Sequence, residues 1–348
     1  MAKVAQIRGA MLEEAVLYLL KKVGYKIVRQ PLDSVDSSDL QVNSSGLEVQ
    51  GRGAWHQIDA LAEQEQTPAF MFPLRLLVEA KCYPNQRVGI PVVRNSVGVL
   101  KDIAENYFTK HRDASTASAI RFNYQSAIFS VSGYTKPAID YAVAHQIFLI
   151  EYRGIPVIQP VIEAIESLDE SALKNAGTRD LSEVRSRFRD ILEDRYPDDY
   201  LSTHFTEYGI ASIQNVSEHL NDIGGSYFGM LQGRWPLHLL TEEPLPPHVF
   251  EDDIVYCRLR GERDGHWRFT PVIYEPGQPG WFELQFFLPI ELAEKMRSTW
   301  GNRELIARTK SQNFSFISLS GFIGGIWRNV KIQLDERWLE RYLRQNRN

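Results

Sequence analysis

The segment LLVEAKCY places Glu79 and Lys81 two residues apart in an otherwise apolar run. On an extended strand, residues two apart share a face, so this carboxylate and this ammonium project together while Val78 and Ala80 face the other way. A second carboxylate, Asp59, lies in WHQIDALA between Ile58 and Leu61, where an ionised side chain is costly unless it is paired or metal-bound. Mg²⁺ is a hard cation that takes one or two protein carboxylates and completes its octahedron with water and phosphate. Two carboxylates and a lysine on neighbouring strands therefore suit phosphodiester hydrolysis. The carboxylates hold the ion, and the lysine orients the attacking water or stabilises developing charge. Asp59 and Glu79 are the expected metal ligands. Mg²⁺ is the expected cofactor, with Mn²⁺ as a substitute. Alone, the Glu-Ala-Lys triplet describes a surface ion pair as well as it describes a site, so the elements around it have to narrow the reading.

Leu12, Val16, Leu19, Leu20 and Val23 recur at helical spacing and predict a helix over residues 8–23, stopped by Gly24. A short strand over 25–29 follows, then a surface loop rich in Asp and Ser over 32–46. Residues 47–50 with 56–62, and residues 74–81, read as strands forming an antiparallel hairpin around the turn-prone EQEQTPAF. A helix over 92–108, a buried strand over 126–132, a helix over 136–144 and a strand over 146–152 complete this part. The alternation predicts an α/β fold, a mixed sheet flanked by helices on both faces. The composition then turns acidic and helix-prone over 156–225, as expected of a helical connector. From 226 to 348 short aromatic and β-branched runs between Gly and Pro predict a β-rich domain, a barrel or a sandwich, closed by the helix ERWLERYLRQ. Six of the seven tryptophans fall in this last part and are expected to build its core.

The stretch from Ile7 to Glu151 resembles the Mrr-like restriction endonuclease domain of the PD-(D/E)xK superfamily. RGAMLEEAVLYLLKKVGY is similar to that family's first helix and aligns its glutamate with Glu13, Glu14 being the neighbouring alternative. The family's aspartate matches Asp59 and its (E/Q)xK matches Glu79 and Lys81. VGIPVVRNSVGVLKD and SAIFSVSGYTKPAIDYAVAHQIFLIE are similar to the helix and the strand, loop, helix and strand that follow there. The pattern departs from the family in two places: no proline precedes Asp59, and the gap from Asp59 to Glu79 is long for a tight hairpin. What the resemblance implies is a restriction-endonuclease-like domain over 1–155 that cleaves DNA with a divalent metal, with Glu13, Asp59, Glu79 and Lys81 as its catalytic set, in prokaryotic restriction or anti-phage defence. Gln57, two residues before Asp59, is expected on the same strand face as an accessory group. His56 is expected to point away and to be structural.

The net charge of −5 excludes a protein that coats nucleic acid indiscriminately. A local balance of +5 from Lys81 to Lys136, eight cations against three acids, leaves room for DNA at the candidate site. No apolar run is long enough to span a membrane and no signal peptide opens the chain, so a cytoplasmic protein is expected. Cys82 and Cys257 form no ligand spacing. No HExxH, GxSxG or P-loop occurs, which removes zinc, activated-serine and P-loop chemistry from consideration. A homo-oligomer is compatible with the sequence, as is an activating ligand or partner at the C-terminal part. Two rival functions stand beside the DNA endonuclease: a nuclease fold that binds nucleic acid or a partner without cutting, and a ligand-gated nuclease acting on RNA or DNA.

Overall fold

Val4–Val23 forms a helix, α1, whose apolar residues are almost all buried, together with Glu13 and Glu14. The computed structural model describes residues 4–43, 46–64, 66–67, 69–110, 120–174, 181–193, 205–261 and 265–344. After α1 come β1 (Tyr25–Val28), β2 (Leu40–Asn43), β3 (Gly46–Gln50), β4 (Trp55–Gln57), β5 (Ala60–Gln64), β6 (Leu74–Lys81), α2 (Ile90–Lys110), β7 (Asn123–Ser130), α3 (Lys136–Ala144) and β8 (Phe148–Glu151). They build a five-stranded sheet in the order β1-β5-β6-β7-β8. β5 is antiparallel to β1 and β6, while β6, β7 and β8 run parallel. β2, β3 and β4 form a separate antiparallel sheet.

Two expectations are corrected here. The run 56–62 is not one strand, because the chain bends at Ile58 and Asp59 and passes from β4 in the small sheet to β5 in the large one. The predicted hairpin survives only as β5 with β6, and residues 47–50 belong to the other sheet. The loop expected over 32–46 also contains a strand, β2, whose Leu40 and Val42 pair with Val49 and Leu47 of β3.

A buried arginine fixes β6 in place. Arg75 is 0% exposed and donates from Nε to Glu63 Oε1 at 3.0 Å, from Nη1 to Asp39 at 2.8 Å and to the Tyr124 hydroxyl at 2.7 Å. Its guanidinium also lies 3.6 Å from the centroid of the Phe122 ring. Glu63 is the cross-strand partner of Arg75, so the network ties β5 to β6 and both to the segment before β2. Arg75, Leu77, Glu79 and Lys81 share one side of the strand, which leaves Glu79 and Lys81 half-buried at its end.

Helices α4 (Gln159–Ser167), α5 (Leu181–Leu192) and α6 (Glu207–Asn221) follow. They occupy the region expected to be a connector, of which residues 175–180 and 194–204 lie outside the described residues. The chain divides into two compact units: Met1–Glu151 with Val161–Leu220, and Tyr152–Pro160 with Asn221–Asn348. Residues 161–220 thus group with the first unit, and α5 packs along α1.

The second unit contains β9 (Gly225–Leu231), β10 (Trp235–Thr241), β11 (Ile254–Gly261), β12 (His266–Pro271), β13 (Leu284–Phe287), α7 (Ile290–Thr299), α8 (Arg303–Asn313), β14 (Phe316–Ile323), β15 (Ile326–Leu334) and α9 (Glu336–Arg344). Its seven strands close into a barrel, β10-β13-β12-β11-β15-β14-β9, antiparallel except for β11 with β15. Inward-facing Leu239, Leu259, Phe269, Leu284, Phe286 and Ile317 fill it. Trp267 is buried and stacks on Phe314 at 5.5 Å, while Trp235, Trp300 and Trp338 pack partly against the core. Tyr152 joins this unit through the His238 imidazole, which contacts the Tyr152 hydroxyl at 2.8 Å and Ser226 Oγ at 2.7 Å. Burial pushes the His238 pKa down to about 3, so a neutral ring bridges the two hydroxyls. Among the described residues no helix is long and apolar enough to cross a membrane.

Candidate active site

Lys81, Glu79, Asp59 and Glu13 come together around the end of β6. Lys81 Nζ lies 2.8 Å from Glu79 Oε1 and 3.9 Å from Asp59 Oδ2. Glu79 and Lys81 meet because they are two apart on one strand. Asp59 meets them because the β5–β6 register pairs Ala60 with Val78, and one further step sets Asp59 across from Glu79. The bend at Asp59 releases its side chain from strand alternation, so its direction is set by the turn between the two sheets. Glu13 enters from α1, which packs on β5 and β6, and is 7% exposed.

Three of the four groups, Glu13, Asp59 and Lys81, carry shifted pKa values. Burial raises the Glu13 pKa to about 8, with Asp59 adding to the rise and Arg185 and Lys81 opposing it. Partial desolvation raises the Asp59 carboxyl even though its side chain stays 32% exposed, with Lys81 pulling it down and Glu79 pushing it up. Lys81 is itself partly desolvated, which works against its charge, yet Glu79 and Asp59 outweigh that and raise its pKa. The lysine is a firmly protonated cation between two carboxylates. Glu13 is held as a proton-bearing acid near neutrality.

Two participants were not legible in the sequence. Ser96 of α2 donates from Oγ to Glu79 Oε2 at 2.6 Å, with the Val92 carbonyl 3.2 Å away, and Lys81 meets Oε1, so both oxygens of Glu79 are oriented. Its only sequence signal is a polar residue on an otherwise buried stripe of α2. Arg185 of α5 donates from Nη2 to Glu13 Oε2, and no local pattern links residues so far apart in the chain. One turn on, Arg189 lies 3.3 Å from Glu14, and Arg29 meets the same carboxylate at 3.3 Å. Glu14 is therefore committed to these arginines and does not join the group around Lys81.

Gln57 is the other correction. It sits on β4 opposite Glu48, exposed, and is not on a strand shared with Asp59. His56 turns away as expected: its Nε2 lies 2.7 Å from Asp102 Oδ2 of α2. That hydrogen bond, with those from the Gly53 and Ala54 amides, holds the Asp102 carboxyl below its usual range.

Among the described residues no three His, Cys, Asp or Glu side chains are grouped so as to hold a metal ion. The two carboxylates at Lys81 are still the donor set a magnesium ion takes from protein, since water and phosphate supply the remaining oxygens. Asp59 and Glu79 fit the ion by number and by chemistry.

No family model matches the chain, and no curated protein matches it. Among solved structures, "Crystal Structure of Protein of Unknown Function AF1548" aligns over 61% of this chain and 96% of that one, with 16% identity and a TM-score of 0.35. At that score the likeness carries neither a fold nor a function across, so the chain is assigned to no family.

Proposed function

We propose that this protein is a divalent-metal-dependent endonuclease acting on DNA. One observation carries the reading: the Lys81 ammonium sits 2.8 Å from Glu79 and 3.9 Å from Asp59, at the open end of a strand whose other end is locked by a buried arginine. The order α1, β5–β6 hairpin, α2, β7, α3, β8, with β6 parallel to β7, supports a restriction-endonuclease-like core around that site.

Asp59 and Glu79 would hold Mg²⁺, or Mn²⁺ in its place. The ion would neutralise phosphate charge and lower the pKa of a bound water. Lys81 orients the attacking water and places a fixed positive charge beside the phosphate. Ser96 keeps Glu79 from rotating. Glu13, behind Asp59, keeps bulk water from that side and holds its proton until a cation draws it off. Of the cations between Lys81 and Lys136, Arg112 lies outside the described residues; Arg87, Arg94 and Lys101 are available to the backbone of a bound strand.

The test is incubation of the full chain with plasmid DNA, and separately with RNA, in Mg²⁺ or Mn²⁺, with Lys81→Ala beside wild type. Metal-dependent DNA products from wild type, reduced at least ~100-fold in Lys81→Ala, are expected. Undiminished cleavage by the variant would remove Lys81 from the site. Retention of DNA without products at every metal concentration would establish a binding module instead.

A further inference from the structure

Immediately beyond Lys81 the chain leaves β6 and lines an open cavity of about 670 Å³ with Tyr83, Asn85, Gln86 and Arg87, bounded also by Val92 of α2 and Thr135 ahead of α3. The walls are held in place. Val88 N donates to the Gly133 carbonyl at 2.9 Å, Thr135 N donates to the Val88 carbonyl at 2.9 Å, and Ser132 Oγ donates to the Gln86 carbonyl at 2.7 Å. Two features tie the cavity to the candidate site. Ser96 contacts both Glu79 Oε2 and the Val92 carbonyl, and Tyr83 lies two residues beyond Lys81 in the chain.

The lining has a definite chemistry. None of its residues is acidic, and Arg87 is its one cation. Among the described residues the Arg87 guanidinium has no ion pair, and the side chains of Asn85 and Gln86 have no hydrogen bond. A guanidinium without a carboxylate partner suits phosphate oxygens, which it can meet with two parallel bonds. A half-exposed tyrosine ring offers a face for a base, and side-chain amides carry both donors and acceptors for base edges. At about 670 Å³ the pocket is large enough to take one nucleotide.

We propose that this cavity is a nucleotide subsite, in which one unstacked nucleotide of a strand passing over Lys81 lays its base against Tyr83 and its phosphate on Arg87. The strand's path rests on the phosphodiesterase reading; the capture of a nucleotide does not. The substrate at this point is then an unpaired strand, or a duplex from which one nucleotide has been turned out.

Calorimetric titration of the full chain with 5′-dTMP, and separately with inorganic phosphate, in EDTA, tests the proposal. Saturable dTMP binding is expected, weakened ~10-fold or more by Arg87→Ala and ~5-fold or more by Tyr83→Ala, as loss of a charge-assisted contact or of a stacking face predicts. Both substitutions lie on an exposed loop, and an unchanged Tm shows that each variant is folded. Absence of dTMP binding, or affinity unaltered in both variants, overturns the proposal, and phosphate binding as tightly as dTMP overturns the nucleotide assignment. Affinity lost in Lys81→Ala and kept in Arg87→Ala would place the nucleotide at the catalytic groups and overturn it as well. Binding that follows Arg87 and Tyr83 while no nucleic acid is cut would leave the subsite standing and remove only the endonuclease reading.

Discussion

Glu13 concentrates the electrostatic cost of the site in one side chain. Its folded-state pKa is near 8, against 4.5 for an unperturbed glutamate, because burial and Asp59 disfavour its charge more than Arg185 and Lys81 favour it. The native state therefore binds a proton that the unfolded chain releases between about pH 4.5 and 8. Stability falls as pH rises through that window and the loss is complete above it. Glu13→Gln removes the charge while keeping an acceptor for Arg185. In EDTA it is expected to be more stable than wild type at pH 9, by on the order of 5 kcal/mol, and within ~1 kcal/mol of it at pH 5. Urea melts at the two pH values measure this. A variant no more stable than wild type at pH 9 would mean that Arg185 fully compensates the buried charge. Added Mg²⁺ should reverse the order, because a dication at Asp59 and Glu79 favours an ionised Glu13 that the amide cannot replace.

The element that presents the site, β6, is anchored by Arg75 at one end and reactive at the other. Removing one partner of a buried charged set is costly, because the remaining charges stay behind unpaired. Arg75→Met strands Glu63 and most of Asp39's pairing, and is expected to cost about 3–5 kcal/mol in a urea melt. A cost below about 1 kcal/mol would show that water replaces the guanidinium and that the strand does not depend on it. Elements of this kind were legible where local rules decide them. The helix over 136–144 has the bounds its sequence predicts, with Pro137 in its first turn. The strand with Glu79 and Lys81 followed from alternation, and the barrel alternative from the spacing of short aromatic runs. What escaped was non-local. The break at Asp59 depends on two sheets competing for one segment, so alternation along 56–62 does not carry Gln57 onto the strand of the site. The parallel pairing of β11 with β15 and the seat of Arg185 on Glu13 join residues far apart in the chain, where periodicity carries no information.

At the scale of the whole chain the two units are interleaved: Tyr152–Pro160 belongs with the barrel, and Val161–Leu220 returns to the unit that holds the candidate site. A single cut after Glu151 therefore does not release a complete first unit, although the last strand of its sheet ends there. Such a piece lacks α5, and with it Arg185 and Arg189, the cations that meet Glu13 and Glu14 inside α1. Glu14 keeps Arg29, and Glu13 can escape by protonation, so the electrostatic loss falls short of two fully orphaned charges. Even one partly orphaned buried carboxylate costs a few kcal/mol, and the apolar face of α1 under α5 is uncovered at the same time. Set against a total stability of roughly 5–15 kcal/mol, that is enough to remove cooperative folding. The chain 1–220 is expected to melt as a cooperative unit by circular dichroism, and 1–151 to be insoluble or to melt without a transition. Cooperative melting of 1–151 within about 5 °C of 1–220 would show that α5 is an accessory layer, and would return Arg185 to the role of a surface cation that happens to lie on Glu13.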